Sequence, residues 1–445
     1  MNETKNILIG KLGKKFSLKK FNNMTGDDAS VILFSKLALL NSNYKFYIAG
    51  PNDINKLTQE EYDKIFPNHN VFTAPNIDLN AENPYACLDD YFDNIKIDFA
   101  LLINGPTTQM NVSNFLRKGF TKDGDFYKPL MMFKRYVGPY VYVLNKLGCP
   151  FYLISEDARY ITTWCKDLWN HERLVFTQTN GSFKLRKHIK SIDDWTMVEN
   201  DKVDAVYAGV ERIFMMGLDK DWKSKIDIEH KLTLDYNNSN TNSPFIVISN
   251  GCSTFGLDCG PSTKISRLPV YKEYIIDNFK DVDVYNKTKI YGSWSLEDVA
   301  QCQDIIWNIP VVELQDQIRD AKYSIAYSQQ PGFVTVKAWE LVILGLIPFI
   351  HPDYDKDRLL GFPEYVYLKS PEDLLNKIHE LDANPELYKD IMKQCQDCIK
   401  PEYLDGSDLN NRLLCTIAKD LRFDYEPKKG IENTLFDHFN KDVII

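Results

Sequence analysis

Short apolar runs alternate with longer amphipathic stretches through the first half of the chain. The runs fall at residues 6–10, 45–50, 99–104, 150–155, 173–177 and 204–207. They are nearly continuous in apolar residues, a pattern typical of strands that are covered on both faces. The stretches between them are helical in character, and residues 25–28 supply capping side chains for a helix over 28–40. The pattern predicts a doubly wound, parallel α/β domain.

The same alternation restarts after a polar, unpatterned segment at residues 236–243. The later apolar runs fall at 244–249, 282–285, 290–292, 323–326, 347–350 and 365–368, and residues 371–399 have a mostly helical pattern. We interpret the polar segment as an interdomain linker. The predicted organisation is an N-terminal domain at 1–235, a second doubly wound domain at 244–420, and a C-terminal tail at 421–445.

Residues 328–351 combine a small polar turn, a helix and a buried strand in close succession. The turn contains Gln330, Gly332 and Thr335, and the helix carries Glu340 and ends at Gly345. Free N–H groups and the dipole favour phosphate at a helix N-terminus, and a carboxylate further along can accept hydrogen bonds from a ribose diol. The segment is therefore typical of a nucleotide-diphosphate site. The alternative is an ordinary loop–helix–strand unit in which Glu340 is a solvated side chain.

Composition places the chain among soluble globular proteins of two or three domains. It has 445 residues, of which 44% are hydrophobic and 26% charged. No apolar run reaches the length of a membrane span, and residues 1–10 lack the apolar core of a secretory leader. Nine cysteines, an odd number, favour reduced thiols over a disulfide framework. We expect a cytoplasmic protein without a membrane partner, in which Cys395 and Cys398 are free thiols.

Charge is distributed unevenly between the two halves of the chain. Residues 1–200 hold 25 Lys and Arg against 22 Asp and Glu, whereas the remaining residues hold 28 against 40. Two basic clusters interleaved with or flanked by aromatic residues lie in the first half: Arg117, Lys118, Lys122, Lys128, Lys134 and Arg135, then Lys184, Arg186, Lys187 and Lys190. Basic residues beside aromatics suit a phosphate backbone and an unstacked base, which predicts a nucleic-acid partner. The alternative for each cluster is a solvated helix face.

The 328–350 segment resembles the donor-binding element of GT-B glycosyltransferases, in which a Glu on this helix holds the ribose of a nucleotide sugar. The resemblance implies two Rossmann-like domains facing across a cleft, with the donor on the second, the acceptor on the first, and a tail that packs back on the first. The length, the domain plan and the 335–348 element also resemble phage DNA glycosyltransferases. That implies transfer of a hexose or pentose from a nucleotide-diphosphate sugar, with UDP-sugar the leading candidate.

The acceptor implied by this resemblance is the hydroxymethyl group of a modified pyrimidine, such as 5-hydroxymethylcytosine, in double-stranded bacteriophage DNA. Such an enzyme must flip its target base into the cleft. If the chain is phage-encoded, the host cytoplasm is its expected location, and a monomer is expected.

Several residues are candidates for holding the donor. Lys264 and Arg267 follow the first strand of the second domain, where GT-B enzymes place a basic residue for the diphosphate; either could also be a surface charge. Tyr291, with Trp294 nearby, resembles the aromatic position beside the nucleobase, although core packing is the commoner role. The full donor set is Gly13, Arg159, Lys264, Arg267, Tyr291, Gln330, Gly332, Thr335 and Glu340.

Two carboxylates directly after the 150–155 strand are the leading catalytic candidates. Glu156 or Asp157 could take the proton of an attacking hydroxyl, with Arg159 contacting phosphate or holding a carboxylate. The alternative is a helix-capping pair bonded to Arg159. Asp28, with its neighbour Asp27, is the second candidate base, or else a charge that complements a helix dipole. No Asp-x-Asp stands at a strand end, so we expect no metal, since basic side chains and a helix dipole can stabilise the leaving diphosphate.

Three other functions remain compatible with the sequence. A glycosyltransferase of surface polysaccharide or glycan biosynthesis would use the same donor site. A non-catalytic GT-B-like protein would bind nucleic acid without a nucleotide sugar. An epimerase of the same fold would use the donor without an acceptor. Donor binding and an identified acceptor distinguish these hypotheses.

Overall fold

The computed structural model describes a little over half of the chain, including both predicted sheets. The described residues are 4–11, 37–49, 58–78, 81–83, 85–104, 146–155, 175–178, 184–186, 197–199, 203–204, 221–236, 243–249, 252–255, 263–280, 288–292, 294, 299–300, 306–307, 315–327, 337–356, 358 and 360–429.

The first sheet has seven parallel strands in a Rossmann order. They are β1 (Asn6–Lys11), β2 (Lys45–Ala49), β3 (Val71–Thr73), β4 (Phe99–Asn104), β5 (Phe151–Ser155), β6 (Val175–Gln178) and β9 (Val203–Asp204). Their order is β3-β2-β1-β4-β5-β6-β9, with Ile7 paired to both Phe46 and Phe99. A separate antiparallel hairpin joins β7 (Lys184–Arg186) to β8 (Met197–Glu199).

The second sheet repeats this topology with five parallel strands. They are β10 (Phe245–Ile248), β13 (Thr288–Tyr291), β14 (Ile306–Trp307), β15 (Tyr323–Ala326) and β16 (Ile347–Ile350), in the order β14-β13-β10-β15-β16. All residues of β10, β15 and β16 are buried, as their unbroken apolar runs predict. Pro348 is accommodated because β16 is an edge strand. A hairpin of β11 (Cys252–Phe255) and β12 (Thr263–Ser266) follows β10.

Ten helices accompany the sheets. They are α1 (Gln59–Ile65), α2 (Ala86–Phe92), α3 (Ile228–Thr233), α4 (α-helical at Leu268–Tyr271 and Asp277–Phe279, with a π-helical turn at Lys272–Ile276 between), α5 (Gln315–Asp320), α6 (Lys337–Ile343), α7 (Pro371–Ala383), α8 (Pro385–Asp397), α9 (Pro401–Leu404) and α10 (Ser407–Leu421). The described part of the chain also has helical residues at 37–40 and 299–300. With the two parallel sheets, the helices confirm the predicted α/β class with two Rossmann-like units.

The predicted strand at 365–368 is wrong. A 3₁₀ turn, Glu364–Val366, occupies its first half, and Ser370 caps α7 directly after it. Between the 3₁₀ turn and α7, the described residues form a single isolated β-bridge, in which Tyr367 pairs with Ile350 of β16. The predicted strand at 282–285 lies outside the described residues, as does most of the predicted helix over 28–40, of which residues 37–40 are helical.

Two compact units divide the chain differently from the predicted domains. The first comprises residues 1–217, 256–261 and 402–445, and the second comprises 218–255 and 262–401. The second unit begins before the polar 236–243 segment because α3 is anchored on α5. Lys231 Nζ donates to the carbonyl oxygens of Ile318 and Ala321, at 3.2 and 2.5 Å, and His230 lies 2.9 Å from Asp320.

The chain returns to the first unit before the predicted tail. Helix α10 packs there through buried Leu413, Leu414 and Ile417. The buried Asn41 amide donates to Asn410 Oδ1 at 2.7 Å. Tyr425 Oη accepts from the Asn410 amide at 2.8 Å, so the residues after α10 join the same network.

Candidate functional site

The second sheet reverses its strand order between β10 and β15. In an open α/β sheet, the carboxyl ends of the strands at this crossover form the usual ligand crevice. Ser249 follows β10 there, and Tyr327 follows β15. The Ser249 N–H donates to the carbonyl oxygen of Tyr291 at 3.0 Å, which ties the ends of β10 and β13 together.

Arg267, one of the two basic residues predicted to meet the diphosphate, lies at this crossover. It precedes α4, and its guanidinium donates to Ser249 Oγ at 3.1 Å. The β11–β12 hairpin therefore returns the chain to the end of β10, where a guanidinium can meet an oxyanion bidentately. Lys264, the other predicted basic residue, lies in β12, where the structure describes its backbone alone.

Tyr271 connects Arg267 to the rest of the cluster. It is 1% exposed, and burial raises its pKa, opposed by the Arg267 charge, by a hydrogen bond with Ser249 and by the Lys337 charge. Tyr271 also precedes the π-helical turn of α4, a distortion that is frequent at functional sites. The buried Tyr271 hydroxyl is thus influenced by residues from three separate segments, namely Arg267, Ser249 and Lys337.

Glu340, the predicted ribose-binding residue, is on α6 in the β15–α6–β16 unit. Its Oε2 is 2.7 Å from Lys337 Nζ, one helical turn earlier, and the two side chains are 25% and 31% exposed. Because the Lys337 charge opposes the rise that burial causes in the pKa of Tyr271, we group the Glu340 ion pair with Arg267, Ser249 and Tyr271 as one cluster. The cluster therefore combines two cations with one carboxylate, a balance suited to an anion that also carries hydroxyl groups.

Aromatic rings line the carboxyl edge of the sheet beside this cluster. The ring centroids of Trp294 and Tyr271 are 5.9 Å apart, and those of Tyr271 and Tyr327 are 6.1 Å apart. The His351 ring is 4.8 Å from Tyr327 and 4.7 Å from Tyr274. Four of these five rings are buried and Tyr327 is half-buried. Tyr327 is therefore the ring of this aromatic row that is most exposed to solvent.

His351 is a neutral member of the aromatic row. It follows β16, and its Nδ1 accepts a hydrogen bond from the Asp353 N–H at 3.1 Å. Burial lowers its pKa to about 4, although Asp353 opposes that shift. At neutral pH the ring is therefore an uncharged packing partner for Tyr327.

Tyr291 and Trp294 are mostly buried, at 4% and 7% exposure. Burial raises the pKa of Tyr291 to about 12. Gly292 follows β13 with a φ of 140°, which side chains rarely adopt, so the predicted strand–glycine turn is present. The Trp294 ring packs against Tyr271 and so forms part of the wall of the cluster, whereas Tyr291 is linked to the cluster through its carbonyl oxygen, which accepts from the Ser249 N–H.

Most other predicted site residues lie outside the described residues. These are Gly13, Asp27, Asp28, Arg117, Lys118, Lys134, Arg135, Glu156, Asp157, Arg159, Lys187, Gln330, Gly332 and Thr335. Lys184 and Arg186 lie in β7, where only the backbone is described. Glu156 and Asp157 follow the last residue of β5 directly in the sequence.

Sequence reasoning missed Ser249, Tyr271, Lys337, Tyr327 and His351. The i, i+3 spacing of Lys337 and Glu340 is a signal that could have indicated their pairing. Ser249, Tyr327 and His351 each follow a strand directly, so a residue-by-residue inspection of predicted strand ends could have found them. Tyr271 has no such signal, because its place depends on the long return of the β11–β12 hairpin.

Three further observations concern metal ions, membrane-spanning helices and cavities. Within the described ranges, no group of three or more His, Cys, Asp or Glu could hold a metal ion. No helix in that part of the chain is long and apolar enough to cross a membrane. A cavity of about 660 Å³ lies in the first unit beside Lys5, Asp98 and Cys149, at the amino ends of β1, β4 and β5, which is the edge opposite the usual ligand crevice.

No protein-family model matches the chain, and no curated protein matches it. Similar solved structures include T4 phage β-glucosyltransferase, at 10% identity over 94% of this chain and 99% of that one, with a TM-score of 0.42. A glycosyltransferase from Rickettsia africae shows 9% identity, the same coverage and a TM-score of 0.42. HepE of Anabaena, in complex with UDP and glucose, shows 10% identity over 94% and 100%, with a TM-score of 0.43. These superpositions are loose, so the fold is assigned from the strand order of the two sheets.

Proposed function

We propose that this chain is a glycosyltransferase that binds a nucleotide-diphosphate sugar, with UDP-sugar the first candidate, at the crossover of the second sheet. The observation that carries the proposal is the convergence of Arg267, Lys337 and Glu340 around Tyr271 and Ser249 at that crossover. Such crevices bind nucleotides in Rossmann-like units.

The charged side chains of the cluster bind different parts of the donor in this proposal. Arg267 and Lys337 neutralise the diphosphate and stabilise it as it leaves. Glu340 accepts hydrogen bonds from the ribose hydroxyls. Its ion pair with Lys337 is partly exposed, so little free energy, about 0.5 kcal/mol, opposes an exchange of partners when the donor binds.

The acceptor belongs to the first unit in this proposal. Residues 117–190, which carry the excess of basic residues, all fall within that unit. We infer that they contact the phosphate backbone of double-stranded DNA and that the acceptor is the hydroxymethyl group of a modified pyrimidine. Asp157, or its neighbour Glu156, takes the proton of that hydroxyl as the bond from sugar to diphosphate breaks; Asp28 is the second candidate.

A transfer assay by mass spectrometry tests the proposal. The protein is incubated with UDP-glucose and other nucleotide sugars, and with duplex DNA containing 5-hydroxymethylcytosine, 5-hydroxymethyluracil or unmodified bases. We expect one sugar to be added to a hydroxymethylated nucleoside and none to unmodified DNA. Transfer to a glycan alone would replace the DNA acceptor, and DNA binding without donor binding would leave a non-catalytic protein.

A matched pair of variants shows whether the crossover cluster is the donor site. Arg267→Gln removes the guanidinium and should weaken UDP binding by about 10- to 100-fold, because a charge-assisted contact is lost. Lys389→Gln is the control, because it likewise removes one partly exposed cation, which pairs with Glu229 and Glu386 outside the crossover cluster. Equal UDP affinities of both variants and the wild type, measured by calorimetry, would remove the donor site from the crossover.

A further inference from the structure

Tyr327 is held at the crossover by two buried aromatic rings. It is the first residue after β15, and its ring meets His351 at 4.8 Å and Tyr271 at 6.1 Å, both in edge-to-face arrangements. His351 is itself held by the Asp353 N–H, and Tyr271 is 1% exposed. Because both neighbours are fixed, the half-buried Tyr327 ring has little rotational freedom, and its hydroxyl has a defined position.

The Tyr327 hydroxyl makes no hydrogen bond to any residue in the described part of the chain. A partly buried tyrosine usually finds a partner for this group. Arg267 is close enough to act on its pKa, but burial is the larger influence and raises that pKa to about 12. The phenol therefore keeps its proton at neutral pH and is a hydrogen-bond donor beside a guanidinium.

We propose that the Tyr327 hydroxyl donates a hydrogen bond to the diphosphate of the nucleotide sugar, next to Arg267. The inference rests on the proposed function, since it names a further residue of the same donor site. A phosphate offers more acceptor positions than one guanidinium fills, and a fixed neutral donor adds a contact without adding charge. The chemical class recognised is a nucleoside diphosphate rather than a nucleoside.

The test compares UDP with uridine in calorimetric titrations of Tyr327→Phe. This variant keeps both ring contacts and removes only the hydroxyl. We expect the Kd for UDP to rise about tenfold, which is the usual effect of one hydrogen bond to a charged group, and the Kd for uridine to stay unchanged. Tyr365→Phe is the matched control, because it removes a tyrosine hydroxyl that bonds Glu380 on α7, outside the crossover cluster.

Other outcomes separate this inference from the proposed function. Unchanged UDP affinity in Tyr327→Phe, with weakened affinity in Arg267→Gln, would remove the Tyr327 contact and leave the donor site intact. An equal loss for UDP and uridine would show that the hydroxyl acts on the nucleoside or through the fold, which also overturns the inference. Absence of nucleoside-diphosphate binding by the wild-type protein would overturn the donor site and the Tyr327 contact together.

Discussion

At the scale of single residues, the proposed donor site assigns phosphate and ribose to different side chains of the crossover cluster. Arg267, Lys337 and Tyr327 are donors, whereas Glu340 is the acceptor in the group. A ligand that carries both an anion and a diol satisfies both kinds of group. A free phosphate or a nucleoside satisfies only one of them, so fragments of the donor can be used to assign roles.

Glu340→Gln should weaken uridine binding more than UDP binding. The substitution replaces a charged acceptor for the ribose diol, which we expect to cost about tenfold in Kd for uridine. It also releases Lys337 from its ion pair, which favours the diphosphate and offsets part of the loss for UDP. Calorimetry with both ligands checks the ratio; an unchanged Kd for uridine would remove the ribose role of Glu340.

His351 predicts how the stability of the protein depends on pH. Its folded pKa is about 4, below its ordinary value of 6.5, because burial disfavours the charged ring. The unfolded chain therefore takes up this proton first, and the stabilisation is complete above pH 6.5 and lost as the pH falls towards 4. The free energy of unfolding should fall by about 3 kcal/mol over this pH range.

Urea denaturation at several pH values checks this dependence. His351→Gln should lose less stability than the wild type between pH 6.5 and 4, because its side chain does not titrate there. Parallel stability curves for the two proteins over this range would contradict the prediction.

At the scale of elements, the end of α6 is fixed by Gly345. Its φ is 76°, and a Cβ at this position would lie 2.6 Å from Ile226 Cγ2. The N–H groups of Gly345 and Leu346 donate to the carbonyl oxygens of Val342 and Leu341, both at 2.9 Å, which closes the helix. The helix that carries Glu340 therefore stops where it meets the segment leading into α3.

Gly345→Ala should destabilise the protein by more than Gly361→Ala. Gly361 has a similar φ of 66° but open space around its Cβ position, so its substitution costs only the backbone strain, about 1 kcal/mol. Gly345→Ala adds a steric clash with Ile226, so we expect the free energy of unfolding to fall by about 2–3 kcal/mol in total. Urea denaturation measures both, and Ile226→Ala should relieve the difference; equal losses would show that the contact relaxes without cost.

Elements with strong local patterns could be predicted from the sequence. The limits of β15 and β16 and the end of the helix at Gly345 agree with the prediction, because buried runs and a left-handed glycine are local features. The 365–368 run is apolar too, but the turn before it and the cap after it leave room for one bridge. Arg267 and Lys337 both oppose the rise that burial causes in the pKa of Tyr271 although they are about 70 residues apart in the sequence, and no local pattern contains such a grouping.

At the scale of the whole molecule, the first unit is built from separate stretches of the chain. Helix α10 contributes Leu413, Leu414 and Ile417 to its core, and each buried side chain of this kind contributes about 1.5–3 kcal/mol. The predicted boundary at 420 groups α8 with α10, because the two helices have similar amphipathic patterns, whereas their tertiary contacts place them in different compact units.

A chain shortened after Pro401 should lose the structure of the first unit and keep that of the second. The Asn41–Asn410 bond and the Tyr152–Asp420 bond disappear with α10. Hydrogen exchange with peptide-level mass spectrometry should show rapid exchange in β1 and β4 and protection in β10 and β15. A chain shortened after Lys429 retains α10 and should keep both units protected. Protection of β1 in the shorter chain would contradict the prediction.

The division of the chain also sets an order of events during synthesis. The second unit ends at Pro401, so nearly all of its residues have left the ribosome before α10 is made. Domains generally fold as they emerge. The first unit, although its strands are translated earlier, lacks α10 until residues 407–421 have been translated. Without the buried side chains of α10, its β-sheet is then the part of the nascent protein most in need of a chaperone, and the synthesis of α10 decides when that need ends.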